Sequence, residues 1–554
     1  MTKIVTVKEM QEIERTADQQ GHSYRAMMEM AGHALADHII SVIMQHYLDT
    51  DVLVLVGPGN NGGDGLVAAR LLTEHMPDVT VTAYILKPRE ASDEVYQAAR
   101  TAGVTIIQAS DDIEFTQLSD LLSEVSVIVD ALFGTGTRPP IRGSAAELLA
   151  HVKDTLASRQ ATPSLLDPAQ PLDYPDKAVV IAVDCPSGLD CDTGEVDTHT
   201  LYADSTVTFA AAKPGLFRFP GAAAVGHLRI GDIGLPSGLT ALESITLELA
   251  DGPRVKQSLP PRRLDSHKGT FGKTLIVAGS NRYIGAAFLA GAAAYAAGTG
   301  LVSIAPPENL VPTLAAMLPE AIWLPLPHEN GMLNSEAVAI LRESLPEYSA
   351  LLVGPGLGHN RTTQGFLVNL LETIGLNTGD QAEMPRMVID ADGLNILATL
   401  ENWWQRLPPR TIITPHPGEF SRLAAYDKEN APSIKEVQSD RVAVARRYAA
   451  IWNCVVVLKG PYTISAEPEG RTTVNPFASS ALASAGTGDV LAGTIAGLLA
   501  QGMAAADAAI AGAWLHGYAG HYAEEVLGTP VAVKASDVLA YLANAFQALN
   551  SVTP

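Results

Sequence analysis

Basic residues are the scarce class in this 554-residue chain: Lys and Arg total 37 against 60 Asp and Glu, for a formal net charge of −23. Affinity for DNA, RNA or an anionic membrane comes from clustered cations that displace counterions, so all three are excluded as main partners. Cysteine is scarcer still. Cys185, Cys191 and Cys454 are an odd number without metal-ligand spacing, which argues against a disulfide scaffold and points to a reducing cytoplasm. The first residues, MTKIVTVKEM, hold no apolar segment, so no signal peptide is expected. Long apolar runs are also lacking. The one uncharged stretch of membrane-spanning length, Tyr283–Pro307, is rich in Ala and Gly and is broken by Gly298-Thr299-Gly300 and two prolines. It reads as a buried helix followed by a core strand.

Hydrophobic residues make up 47% and charged residues 18%, the composition of a globular protein too long for one core. About three to four domain units of typical size would fit. Thr6 and Glu9 are spaced as a capping box, with Val7, Met10, Ile13 and Ala17 near one helical face. A second helix is expected from Tyr24 to Tyr47, with Ser23 as its N-cap. The apolar run Val52–Val56 ends in a glycine-rich turn and a new helix, and further β-rich runs lie at 80–86, 104–108, 125–129 and 179–183. Alternation of this kind indicates a parallel sheet wrapped by helices. Four prolines between 163 and 175 mark a surface loop. The pattern restarts at 274–278 after a glycine- and proline-containing, linker-like stretch, and continues through strands at 301–304, 350–353, 386–390, 411–413 and 454–458. Two α/β domains are therefore expected, residues 1–240 and 263–554, with 241–262 as a linker.

In the first domain, strand–GPGNNGGDG–helix is a phosphate-binding geometry, because glycines admit close backbone approach and the helix start presents free N–H groups. Gly57, Gly59 and Gly62 satisfy G-x-G-x-x-G, yet the next strand ends Leu86-Lys87-Pro88 without the acidic residue that binds ribose. A dehydrogenase site is disfavoured. Asn61, Asp130 and Ser187 sit at three strand ends, and an oxygen-only set suits a hard cation rather than zinc. A single such Asp would merely cap a turn; three glycine-rich, acid-bearing strand ends indicate a site. The motifs at 60–65, 130–136, 184–188 and Lys213-Pro-Gly resemble the NAD(P)H-hydrate epimerase family across residues 1–240. The resemblance implies a Rossmann-like α/β/α sandwich and a potassium ion held by Asn61, Asp130 and Ser187. It implies substrate contacts at Asn60, Asn61, Gly62, Gly63, Asp64, Gly134, Thr135, Gly136, Thr137, Arg138, Pro139, Pro140 and Asp184, with Asp184 moving the proton. Cys185 stands where the family usually has an aliphatic residue.

In the second domain, Ala-Gly-Thr-Gly-Asp at 485–489 runs into a helix. Gly486, Thr487 and Gly488 are placed to turn N–H groups inward, and Asp489 in the first turn is expected to be kept ionised by the helix dipole. An ionised carboxylate beside an anion hole can take a proton from a hydroxyl as a phosphoryl group arrives. This pattern resembles the ribokinase-like superfamily. The stretches at 267–273, 354–358, 390–395, 414–420 and 458–460 narrow the resemblance to the NAD(P)H-hydrate dehydratase family, over about 260–545. It implies substrate contacts at Ala286, Gly356, His416 and Asp489. It implies nucleotide contacts at Lys459, Gly460, Pro461, Tyr462, Thr463, Ser479, Ala485, Gly486, Thr487 and Gly488.

Together the resemblances imply a bifunctional repair enzyme for hydrated NADH and NADPH: epimerisation at C6, then dehydration of the S form through a phosphorylated intermediate. They imply ADP, or ATP, as phosphoryl donor together with magnesium, ADP being implied by the likeness of the fused domain order to the family. A homo-oligomer in the cytoplasm is expected. The alternatives are a small-molecule kinase with an accessory domain, which the same Gly-Thr-Gly-Asp site would serve, and a non-catalytic nucleotide sensor.

Overall fold

The computed structural model describes residues 2–46, 51–159, 178–376, 384–426 and 431–551. Its residues divide into one unit of Lys3–Ile245 and another of Met1–Thr2 with Thr246–Pro554. The proline-rich stretch at 163–175 lies outside the described residues. Among the described residues, no helix is long and apolar enough to cross a membrane.

The Lys3–Ile245 unit opens with helix α1, Val7–Gln19, started by the expected capping box: Glu9 N–H donates to Thr6 Oγ1 at 3.3 Å, and Thr6 N–H to Glu9 Oε2 at 2.7 Å. Met10, Ile13 and Ala17 form its buried face. Helix α2, Tyr24–His46, follows. The sheet comprises β1 (Asp51–Val56), β2 (Thr80–Ile85), β3 (Thr105–Gln108), β4 (Val127–Ala131), β5 (Val179–Val183), β6 (Ser205–Phe209) and β7 (His227–Gly231). All pair in parallel, in the order β3-β2-β1-β4-β5-β6-β7. This is the doubly wound order, which reverses at β1 and β4, and ligands of such sheets bind outside the carboxyl ends at that reversal. Helix α3, Asn60–His75, begins there. Helix α4, Glu94–Ala102, is capped by Asp93.

The second unit contains β8 (Leu247–Leu249), β9 (Lys273–Val277), β10 (Leu301–Ile304), β11 (Ile322–Trp323), β12 (Ala350–Val353), β13 (Arg386–Ile389), β14 (Ile412–Ile413), β15 (Val455–Leu458), β16 (Ile464–Ala466) and β17 (Thr472–Val474). They run in the order β8-β17-β16-β15-β14-β13-β12-β9-β10-β11, antiparallel only where β16 meets β15 and β17. Helix α5 spans Gly252–Ser258, α6 Ile284–Ala296, α7 Pro417–Ala424, α8 Thr487–Ala500, α9 Ala505–Leu527 and α10 Ala535–Ser551. The Tyr283–Pro307 stretch is the expected helix and strand, with Ala286, Ala287, Ala290, Ala293 and Ala294 buried on α6.

The stretch 241–262, expected to be a linker, holds a strand and a helix. Leu247–Leu249 pairs in parallel with Thr472–Val474, and α5 buries Val255. The Pro and Arg content suggested a connector, but the short alternation Leu-Glu-Leu feeds a sheet edge and Asp251 caps a helix by accepting from Arg254 N–H at 2.9 Å.

Candidate functional sites

In the Lys3–Ile245 unit the chain leaves β5 at Val183, and Asp184 takes a φ of +64°, a left-handed conformation that costs energy for a residue bearing a Cβ. Its Oδ1 accepts from Lys213 Nζ at 2.5 Å and from Thr208 Oγ1 at 3.0 Å. Lys213 is 1% exposed; burial pulls its pKa down, but Asp184 outweighs burial and holds it above the ordinary lysine value. Asp64, in the first turn of α3, is pushed well above the carboxylate range by burial and by Asp184 and Glu14. Glu14, on α1, is raised by burial and then by Asp184. Three carboxylates thus surround one lysine, an arrangement that can accept, hold and return protons.

A Cβ added to Gly134 would lie 2.9 Å from Asn61 Oδ1 and 3.4 Å from Asp184 Oδ2, so the loop after β4 meets the start of α3 beside Asp184. Asn60, Asn61, Gly62, Gly63 and Asp64 form that helix start. Farther along the loop, Gly136 and Pro140 are exposed, and Thr135, Thr137 and Pro139 are half-buried. Arg138 is solvent-exposed and pairs only at 3.8 Å with Asp190, a contact worth little in water. Asp130 is fully buried at the end of β4 and accepts from Ser187 Oγ at 2.6 Å and Ser187 N–H at 2.8 Å. Burial raises its pKa, with these hydrogen bonds opposing. Among the described residues, the buried Asn61 Nδ2 has no hydrogen-bond partner.

In the second unit, four neighbouring strand ends converge. Beyond β12, Gly356 approaches Ala286 so closely that a Cβ would lie 2.8 Å from the Ala286 Cβ. Beyond β13, Asp390 is 1% exposed, and its Oδ1 accepts from Lys459 Nζ at 2.6 Å and Thr414 Oγ1 at 2.7 Å. Thr414 follows β14 and Lys459 follows β15. His416 caps α7: its Nδ1 accepts from Gly418 N–H at 3.0 Å and Glu419 N–H at 3.3 Å, while its own N–H donates to Glu419 Oε2 at 2.8 Å. Burial, then Lys459 and Arg422, lower the His416 pKa, so the imidazole is neutral and presents its Nε2.

Helix α8 starts at Thr487 with Gly486 as a left-handed N-cap. Thr487 N–H turns back to Ser484 carbonyl at 3.4 Å, so the N–H groups that lack helical partners at this end are those of Gly488 and Asp489. Asp489 also departs from expectation. Burial, then the charge of Asp390, outweigh Lys459 and raise its pKa to about 7, where the helix dipole alone was expected to keep it low. Gly460 packs at a φ of +141° against the Arg441 guanidinium, and Thr463 Oγ1 donates to Gly460 carbonyl at 3.0 Å, which fixes the Lys459–Thr463 turn. Ser479 hydrogen-bonds Glu524, and its Oγ accepts from Ala481 N–H at 3.0 Å.

Residues 24–215 match the family described as YjeF-related protein N-terminus, and residues 274–544 match NAD(P)H-hydrate dehydratase. The chain is 34% identical over 548 residues to the bifunctional NAD(P)H-hydrate repair enzyme of Moorella thermoacetica, covering 97% of this chain and 96% of that protein. It is 34% identical over 551 residues to the enzyme of the same name from Thermofilum pendens, covering 99% and 97%. The chain belongs to the bifunctional NAD(P)H-hydrate repair enzyme family. Among solved structures, the ADP/ATP-dependent NAD(P)H-hydrate dehydratase from Bacillus subtilis, co-crystallised with ATP and magnesium, is 29% identical. It matches 55% of this chain and 100% of that one at a TM-score of 0.45.

Each family match covers one of the two sites, Asn60–Asp184 in the first and Ala286–Asp489 in the second. Sequence reasoning missed Glu14 and Thr208 in the first site and the pairing of Asp390 with Lys459 in the second. Glu14 looked like any polar position on an amphipathic helix; Lys213-Pro-Gly and Asp390 were visible as motifs, but nothing in their spacing gave them partners.

Proposed function

We propose that the Lys3–Ile245 unit epimerises hydrated NADH and NADPH at C6 and that the Thr246–Pro554 unit dehydrates the S form, with ADP or ATP donating the phosphoryl group. The observation that carries this reading is Asp489, a carboxylate with a pKa of about 7 in the N–H-rich first turn of α8 beside Lys459. Near neutral pH such a group exchanges protons readily. Asp489 takes the proton of the C6 hydroxyl as the terminal phosphoryl group transfers to that oxygen. The ring-nitrogen lone pair then expels phosphate by breaking C6–O, and loss of a C5 proton restores the dihydronicotinamide. With ADP the products are NADH, AMP and phosphate, the water of hydration ending in the phosphate. Ala286, Gly356 and His416 line the substrate side. Lys459–Thr463 and Ser479–Gly488 take the magnesium nucleotide.

In the epimerase unit, Asp184 shuttles the hydroxyl proton, with Lys213 holding it in place and Asn60–Asp64 and Gly134–Pro140 receiving the substrate. Asp130, Ser187 and Asn61 fit a potassium ion. The buried Asp130 carboxylate, the Ser187 hydroxyl bonded to it and the side-chain oxygen of buried Asn61 are an oxygen-only set, which suits a hard monovalent cation. The ion would supply fixed positive charge at the substrate pocket. The net charge of −23 supports the absence of nucleic-acid and membrane partners, and three buried, unpaired cysteines support a reducing cytoplasm. A homo-oligomer completes the reading, and sedimentation tests it.

The test is to give purified protein both epimers of hydrated NADH with ADP or ATP and follow each epimer. Asp489→Asn is expected to abolish dehydration and leave epimer exchange; Asp184→Asn is expected to do the reverse. Loss of both activities in one folded variant, or accumulation of a stable phosphorylated product, contradicts the reading.

A further inference from the structure

We propose that the Asp390–Lys459 pair is the positioning device that decides when Asp489 can accept a proton. The inference rests on Asp489 being the dehydratase base. Asp390 and Lys459 leave β13 and β15 on either side of Thr414, and both Lys459 Nζ and Thr414 Oγ1 donate to the same oxygen, Asp390 Oδ1. A Cβ on Gly488 would lie 3.5 Å from Lys459 Nζ and 3.9 Å from Asp390 Oδ2. The pair therefore lies directly against the backbone that carries Asp489, with one carboxylate oxygen and the ammonium facing it.

The other charged groups at this end are already committed. Glu419 Oε2 accepts from the His416 backbone and lies 3.7 Å from Lys459 Nζ; Asp392 Oδ2 accepts from Gly358 N–H at 2.8 Å. His416 is held neutral by burial and by Lys459 and Arg422, and His516 on α9, pulled to about 4 by burial, is neutral against Thr487 carbonyl. The balance at Asp489 is therefore set by burial, then Asp390 opposing its charge, then Lys459 favouring it, with Asp392 a lesser opponent. Lys459 is itself kept charged, because Asp390 and Glu419 outweigh its burial. The same pair could instead be only a brace between strand ends, or Lys459 only a nucleotide anchor. Those roles predict lost stability or a raised nucleotide KM, and neither moves a pH profile.

The experiment is the pH dependence of kcat/KM for hydrated S-NADH at saturating ADP, in the wild type, Lys459→Met, Lys459→Arg, Asp390→Asn and the Lys459→Met/Asp390→Asn double variant. The wild-type rate is expected to rise on one ionisation near the Asp489 value of about 7. Removing the ammonium moves that limb to higher pH, lowering the rate on the acid side about tenfold relative to the plateau. Removing the Asp390 charge moves the limb the other way, Lys459→Arg keeps it in place, and the double variant falls between the singles. If Asp390→Asn does not fold, Lys459→Met, Lys459→Arg and the double variant still decide. An unmoved limb in Lys459→Met, with only nucleotide KM changed, overturns the pair's role while Asp489 stands as the base. Dehydration surviving in Asp489→Asn removes the base assignment and the pair's role with it.

Discussion

A lysine with 1% of its surface exposed persists as a cation only because a carboxylate meets it, and Lys213 and Asp184 meet at 2.5 Å. Removing one partner strands the other in a poorly hydrated site. Lys213→Met is expected to abolish epimerisation and to cost about 3 kcal/mol of stability by urea unfolding. Lys213→Arg should not restore the rate, since a planar fork cannot occupy the space of a compact ammonium bonded to Asp184, Thr208 and the Phe209 carbonyl. An unchanged unfolding midpoint in Lys213→Met would show that the pair is solvated. At this scale the sequence was partly legible. Asp489 follows Gly488 in a turn whose mechanism points to it, whereas Asp184 could be named only through the family resemblance. The charge state of Asp489 was not legible, because the helix dipole is a local property of α8 whereas the opposing charge, Asp390, lies 99 positions earlier in the chain. Glu14 was hidden for the same reason: its neighbours in space, Asp64 and Asp184, are remote in sequence.

Elements follow the apolar pattern wherever strands are buried on both faces. β1, β4, β5, β9, β12 and β15 are runs of Val, Ile and Leu with glycine or acid at their carboxyl ends, and they form where the sequence placed them. β6 and β17 escaped notice because they are Ser- and Thr-rich, Ser205–Phe209 and Thr472–Val474, yet buried at every position. In β6, Thr206 Oγ1 donates to Val225 carbonyl at 2.6 Å, a partner that no period-two pattern reveals. Helix packing was likewise invisible. α8 crosses α6 with Gly493 so close that a Cβ would lie 2.2 Å from the Ala290 carbonyl oxygen, and Gly497 repeats the approach at Ala294. This contact sets the height at which α8 delivers Asp489. Gly493→Val is expected to push the helices apart, cost roughly 1–3 kcal/mol in a urea melt, and reduce dehydration at least tenfold while epimerisation is retained. Equal loss of both activities would mean that the contact serves overall folding and not the placement of Asp489.

Across the whole molecule, a strongly acidic chain carries two acid-bearing sites, and each places one lysine against a carboxylate, the buried Lys213 on Asp184 and the half-buried Lys459 on Asp390. Local cations and helix N-termini let such a protein receive phosphate-bearing ligands without a basic surface. The division into two units was legible from the restart of the strand–glycine–helix pattern, around 240–260, but the strand and helix within 246–262 were not. A stretch with Pro and Arg reads as connector until its tertiary partners are known. Leu249, Ala250 and Val255 are each at most 8% exposed, Arg471 Nε donates to Glu248 Oε2 at 2.9 Å, and Leu247–Leu249 covers the edge of β17. A fragment beginning at residue 246 keeps these contacts; one beginning at 263 loses the apolar burial and opens an unpaired strand edge, a template for aggregation. Burial of Leu249 and Val255 contributes roughly 3–6 kcal/mol. We therefore expect fragment 246–554 to unfold in one transition and dehydrate hydrated NADH like the full chain. Fragment 263–554 should unfold at a markedly lower urea midpoint or precipitate. Equal midpoints for the two fragments would return residues 246–262 to the status of a connector, and the boundary of the dehydratase unit would then fall where the proline content first suggested.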